Sequence, residues 1–542
     1  MTTKTFKLLS FVFLFFLENF AFAQQIKLDN NVEQALNQVD TAQIKADIAY
    51  LADDALKGRG PGTEGYQMAV DYVIKRLKSL DVKPAGENGT WLQKVKLRKA
   101  FTDNVSLSLN NGKGSGELRS DSYFIFPNPV LPKVNLQAQL VFAGYGDSEP
   151  ALGYDDYAGL DAKGKIVLIT RGSPDKFSSS VGAHTMSTEH ILKVAADHGA
   201  VGVIMSFSDS TARAPNNGRA FYSVIDKQGE VAVSTIYSKQ LSIFAVVDYS
   251  IFKSLLQDAG KSTRDVLTQI KSGRPNSFPL TGTINASYSS AYKDIVSYNV
   301  IGKIEGTDES LKNEYVVHSA HLDHLGISTP VQGDSIYNGA HDNASGVASV
   351  LAIAGIYKNI KFKPKRSILT VLLTGEEMGD LGSGYFAKNP TVPTGSIVAD
   401  INTDMPTIIA PLLSVTALGA EHSSLAKQVD QAAGYLGISV EPDPEPIQAR
   451  FTRSDQYSFV LQGIPALHIK YGSKTADGKN NLNEFVAVWR AKYYHKPQDD
   501  IHGIFDFAAG KKYAQLNFLI AYLVAQDTAK PTWNSGDIFA TE

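Results

Sequence analysis

The sequence predicts an α/β fold: a mixed, mostly parallel sheet sandwiched by helices, with a smaller domain inserted into it. Three observations lead there. Short continuous apolar runs, such as Ser367-Ile-Leu-Thr-Val-Leu-Leu373 and Tyr315-Val-Val-His-Ser-Ala320, read as parallel strands buried on both faces. Apolar helical stretches such as Val347-Ala-Ser-Val-Leu-Ala-Ile-Ala354 lie between them. The stretch from about 134 to 285 has a texture of its own, with separate strand and helix signals. At 542 residues the chain exceeds one ordinary core, so two or more domains are expected.

The elements follow in order. Residues 1–23 read as an export signal. Lys4 and Lys7 give a positive start, Leu8 to Leu17 a short apolar core, and Ala21-Phe-Ala23 a cleavage site before Gln24. The mature chain is therefore expected in the periplasm or outside the cell, without a membrane anchor. Residues 24–133 form the first part of the main domain. Within it, residues 42–97 read as two helices and a lead-in strand, separated by the glycine-rich loop Lys57-Gly-Arg-Gly-Pro-Gly-Thr-Glu-Gly65. That loop matches no nucleotide fingerprint. Residues 134–285 are the inserted domain, with strands at Leu140-Val-Phe-Ala143 and Gly164-Lys-Ile-Val-Leu-Ile169. His184, His190 and His198 lie there and read as surface or packing residues. Residues 286–542 complete the main domain.

Composition removes several function classes. A net charge of −3 with no basic cluster points away from nucleic acid and from anionic membranes. The absence of cysteine removes disulfides, thiolate metal ligands and cysteine nucleophiles together.

Chemistry concentrates at the strand ends. Glu376-Glu377 closes one apolar run, and in open α/β sheets ligand sites lie outside that end. Two adjacent carboxylates repel unless something positive sits beside them. His321-Leu-Asp323-His324 follows a second strand, Asp342-Asn343 opens a helix, and Asp404 ends a third strand. His495 lies in a loop near the C-terminus. These five ordered segments resemble the M28 family of metallopeptidases, the zinc aminopeptidase and glutamate carboxypeptidase-like group. The likeness covers nearly all of the mature chain. The inserted stretch resembles a protease-associated (PA) domain.

The resemblance implies a zinc-exopeptidase type of fold with two divalent ions per chain, zinc in the first place. His321, Asp342, Glu377, Asp404 and His495 would be the metal ligands. Asp342 would bridge, with His321 and Asp404 on one ion and Glu377 and His495 on the other. Glu376 would be the general base in peptide hydrolysis, and the Asp342-Asn343 peptide bond would be cis. Imidazole and carboxylate ligands without thiolate suit an open catalytic zinc site. Asp323 would accept the second imidazole N–H of His321 and fix its tautomer. The Gly-Arg-x-x-Gly-Thr-x-Gly segment would pack near the mouth of the site.

Two positions depart from the family pattern: His341 before the bridging aspartate, and Gln456 where Arg453-Ser-Asp-Gln-Tyr457 would carry a histidine. Tyr457 and Arg453 are candidates for the substrate pocket, and Arg450 with Arg453 could clamp a carboxylate. The leading expectation is an exported aminopeptidase acting on peptides. A glutamate carboxypeptidase-like exopeptidase, a glutaminyl cyclase and a non-catalytic binding module are the alternatives. The insertion is expected to govern access rather than chemistry. Oligomeric state is not legible.

Overall fold

The structure, a computed structural model, describes residues 26–110, 115–215 and 219–540, so the expected export signal at 1–23 lies outside the described residues. Four parallel strands form the centre of the main sheet, in the order Ser367–Leu373, Tyr315–His321, Ile397–Asn402 and Ala466–Tyr471. All four are buried along their length, as strands covered on both faces must be. Ser277–Ile304 pairs antiparallel beside Ser367–Leu373, and Ser414–Leu418 pairs antiparallel beside Ala466–Tyr471. The α/β class and the mixed, centrally parallel sheet are as the sequence predicts.

Side chains alternate between two cores, following the strand period of two. Val316, Ala320, Ile368 and Leu372 pack with the helices Thr41–Leu51, Glu64–Ser79, Ser345–Asn359 and Phe507–Gln526. Val317, Leu369 and Val371 pack on the opposite face with Phe386 and Phe459 from the helices Leu381–Lys388 and Gln456–Val460. The two longest helices, Glu64–Ser79 and Phe507–Gln526, begin where side chains satisfy free amides. Thr63 Oγ1 accepts from Tyr66 N at 3.2 Å, and Asp506 Oδ1 accepts from Ala509 N at 2.9 Å. Among the described residues, no helix is long and apolar enough to cross a membrane.

The inserted domain has its own parallel strands, Lys133–Ala143, Ile166–Arg171, Gly202–Phe207 and Ile243–Val247. The helix Thr188–Asp197 covers one face, while Tyr249–Asp258 and Thr263–Lys271 cover the other. The expected division at 285 falls inside one 28-residue strand, Ser277–Ile304. That strand pairs with Lys133–Ala143 at one end and with Ser367–Leu373 at the other, and with the 19-residue strand Leu92–Asn110 between. The two sheets are therefore hydrogen-bonded into one, and no flexible linker stands at 285.

Because the central strands are parallel, their carboxyl ends share one edge. His321, Glu376-Glu377 and Asp404 arrive there from three neighbouring strands. The Asp342-Asn343 peptide bond is cis, and it sits just before the helix Ser345–Asn359. Gly346 makes that junction tight. A Cβ there would lie 2.1 Å from Asn343 Oδ1 and 2.4 Å from the Thr403 carbonyl.

Candidate metal centre

Asp342 stands at the middle of the cluster and presents one oxygen to each side. Its Oδ1 lies 3.2 Å from His321 Nε2, and its Oδ2 lies 3.2 Å from His495 Nε2. On the first side, His321 Nε2 also lies 3.4 Å from Asp404 Oδ1. On the second, His495 Nε2 lies 3.2 Å from Glu377 Oε2. All five residues that the family resemblance implies as ligands thus converge. Glu376 borders the first side, with Oε2 4.0 Å from His321 Nε2.

Four carboxylates in this space demand compensation. Burial pushes the Glu376 carboxyl well above the usual carboxylate range. Asp342 is held well below that range against the opposing effect of burial, by hydrogen bonds to His321 and His495. A buried cation, Lys470, lies close by, but it serves main-chain carbonyls. Lys470 Nζ donates to the carbonyls of Asp404 and Met405 at 2.8 and 3.0 Å. Burial lowers its pKa to about 8.

Asp323 takes a different part from the one expected. His321 Nδ1 meets the main-chain oxygen of Asp323 at 3.1 Å, not its carboxylate. The turn after the strand folds that carbonyl back over the ring, which leaves Nε2 facing Asp342 and Asp404. The carboxylate instead accepts the amide of Glu376 at 3.3 Å, and burial raises its pKa to about 6.

The two departures from the family pattern carry packing roles. His341 turns away from the cluster. Its ring stacks on Phe505 at 4.1 Å and its Nε2 meets the Ile504 carbonyl at 3.0 Å. Burial lowers its pKa to about 4. Gln456 is fully buried, accepting from Asn402 and donating to the Phe451 carbonyl, both at 2.8 Å.

Several residues that the sequence reading left unassigned position the cluster. His324 Nδ1 lies 2.6 Å from Glu377 Oε1, so two histidines flank that carboxylate. Its spacing of three from His321 was the available signal. Asn343 Oδ1 accepts the amides of Gly346 and Met405 at 3.0 and 3.1 Å, and its Nδ2 donates to Thr403 at 2.9 Å. Arg59, from the glycine-rich loop, is buried beneath the site rather than at its mouth. It donates to the carbonyls of Leu322, Asn338 and Gly339 at 3.0, 2.6 and 3.0 Å, and to that of Leu51. Burial lowers its pKa to about 10.

A cavity of about 300 Å³ opens at the seam between the two domains, and Asp380 on its wall connects it to the cluster by donating its amide to the Glu376 carbonyl at 3.0 Å. Tyr457, Arg453 and Asp380 line it from the main domain, and Arg171, Ser187 and Glu189 from the insertion. Both residues proposed for the substrate pocket therefore face it. Asp380 Oδ1 is buried without a hydrogen bond, and burial with repulsion from Asp404 raises its pKa to about 7. Arg450 pairs with Asp443 and with Glu445, the latter at 3.3 Å. Of the histidines in the insertion, His198 packs as expected, stacked on Tyr157 at 4.1 Å. His184 and His190 pack against each other at 4.4 Å and also meet carboxylates and Tyr457.

Residues 299–517 match the model of Peptidase family M28, and residues 136–237 match that of the PA domain. A protein of Pyrenophora teres f. teres (strain 0-1) described as "Probable zinc metalloprotease" is 34% identical over 108 residues, which are 20% of this chain and 22% of that protein. The match thus spans about a fifth of that relative's length. Among solved structures, an aminopeptidase from Aneurinibacillus sp. strain AM-1 is similar with a TM-score of 0.49 and 18% identity, over 92% of this chain and 97% of that one. A zinc aminopeptidase from Bacillus subtilis is similar with a TM-score of 0.42 and 17% identity, over 93% and 99%.

Proposed function

We propose that this chain, which belongs to peptidase family M28 and carries a PA domain, is an exported dinuclear zinc aminopeptidase. The observation that carries the reading is the Asp342 carboxylate, with one oxygen 3.2 Å from His321 Nε2 and the other 3.2 Å from His495 Nε2. Tetrahedral zinc with ligands at 2.0–2.1 Å sets them about 3.3 Å apart. The gaps of 3.2 and 3.4 Å from His321 to Asp342 and Asp404, and of 3.2 Å from His495 to Asp342 and Glu377, suit that spacing. His321, Asp342 and Asp404 would hold one ion, and Asp342, Glu377 and His495 the other. When bound, the ions would supply Lewis acidity for water activation and for polarising the scissile carbonyl.

The chain's own groups account for the proton and the substrate. Glu376 is the acceptor for the proton of the attacking water and passes it to the leaving amine. Asp323 fixes the amide of Glu376 and, through its own carbonyl, the ring of His321. Asp380 supports recognition of a cationic α-amine. It is a buried carboxylate on the cavity wall with an oxygen left unpaired. Arg450 is already committed to two acids, which disfavours a clamp for an α-carboxylate. The insertion contributes side chains to the same wall, which supports a role in access.

Digestion of a peptide library with mass-spectrometric readout tests this reading. Peptides should shorten from the amino end, N-acetylated peptides should resist, and a zinc chelator should stop the reaction. Shortening from the carboxyl end, or cyclisation of N-terminal glutamine without shortening, would overturn it.

A further inference from the structure

We propose that the inserted domain holds a divalent transition-metal ion of its own, zinc in the first place, between Asp147, Glu149, His184 and His190. The four residues come from three places in the fold. Asp147 and Glu149 stand where the strand Lys133–Ala143 turns into the short hairpin Ser148–Glu149, His184 lies on the helix Ser179–Thr185, and His190 lies on Thr188–Asp197. None belongs to the Asp342 cluster.

Their ligand atoms converge. Glu149 Oε1 lies 3.9 Å from His184 Nε2 and 3.9 Å from His190 Nε2, and one ligand atom of each of the three lies within 4.8 Å of the others. Closing those gaps to the roughly 3.3 Å of a zinc tetrahedron takes only small side-chain movements. Asp147 stands beside this triad as a fourth candidate, with Oδ1 2.8 Å from His190 Nε2. Its side chain is wholly buried and its Oδ2 has no hydrogen-bond partner. An ion bound through Oδ1 would set a positive charge beside this buried carboxylate, which lowers the cost of keeping it ionised.

Tautomer and charge suit the same role. His184 Nδ1 is engaged with the Tyr457 hydroxyl at 2.5 Å, so Nε2 is the nitrogen left for a ligand bond. On loading, the proton shared between His190 Nε2 and Asp147 leaves to solvent, and both atoms become ligands. Two imidazoles and two carboxylates without thiolate suit zinc rather than a hard cation. The ion would tie the hairpin to two helices and hold His184 against Tyr457, which lines the cavity at the seam.

The test is zinc content. Full-length chains are stripped with a chelator, reloaded with zinc chloride, desalted and measured by elemental analysis. His190→Gln and Glu149→Gln should each hold one ion fewer than the unmodified chain. Asp342→Ala should keep the ion that His190→Gln loses, so the double variant should hold one fewer than Asp342→Ala alone. Glu149 is only partly buried, so Glu149→Gln decides the matter if His190→Gln fails to fold. Equal zinc in the unmodified chain and Glu149→Gln would overturn the proposal.

Discussion

The carboxylate of Asp499 grips the peptide that carries Asp342. It accepts the Asp342 amide at 3.1 Å and the His341 amide at 3.0 Å, while the main-chain oxygen of Asp499 accepts from Ala340 at 2.9 Å. Asp499 lies four residues after His495, so one C-terminal loop delivers a candidate ligand and fixes the backbone of another. Asp499→Ala should leave the fold intact and weaken zinc binding by about 10–100-fold, the range for loss of such a support. Asp499→Asn keeps an acceptor oxygen and should recover part of the loss. Zinc titration of both variants against a competing chelator measures this.

Glu376 and Glu377 are neighbours in sequence with different assigned work. Glu376→Gln should keep the full zinc content and lose kcat by about 10²–10⁴-fold, because the proton acceptor alone is gone. Glu377→Gln should lose zinc affinity directly, since its Oε2 faces His495 and its Oε1 faces His324. Elemental analysis with steady-state kinetics separates the two, and the reverse pattern would exchange their roles.

Arg59 bridges four main-chain carbonyls of loops beneath the site. Lysine lacks the planar fork needed to reach them together. Arg59→Met removes the donors and strands buried acceptors, at a cost of about 3 kcal/mol or more. Urea unfolding of metal-free chains checks the value, with metal absent so that ligand binding does not enter the comparison.

The insertion lines the seam cavity with Arg171 and Glu189. Arg171→Ala and Glu189→Ala should leave hydrolysis of a small chromogenic aminoacyl substrate unchanged. Their kcat/KM for longer peptides should change by up to about tenfold, the scale of one pocket contact. A parallel loss on the smallest substrate would mean that the insertion acts on the chemistry itself.

What the sequence revealed follows from locality. Buried parallel strands announce themselves as apolar runs, so His321, Glu376, Glu377 and Asp404 could be placed at one sheet edge from their positions alone. His495 sits in a loop at positive φ and is drawn in only by the family likeness. Arg59 and Asp499 act through main-chain amides and carbonyls of distant segments, and such contacts leave no residue pattern to read. The division at 285 was obscured because Ser277–Ile304 serves two sheets and changes partner without a break in strand pattern. His184 and His190 read as surface or packing residues because nothing near them in sequence signals an acidic partner. Their carboxylate partners lie 35 to 43 positions away, across a turn that composition does not reveal.

The central claim is that one carboxylate, Asp342, holds two ions. Its most direct test is the zinc content of Asp342→Ala beside the unmodified chain, both reloaded with zinc and checked for native circular dichroism. The variant should hold two ions fewer, because each half of the cluster loses an oxygen ligand at once. A folded variant that loses one ion or none would contradict it.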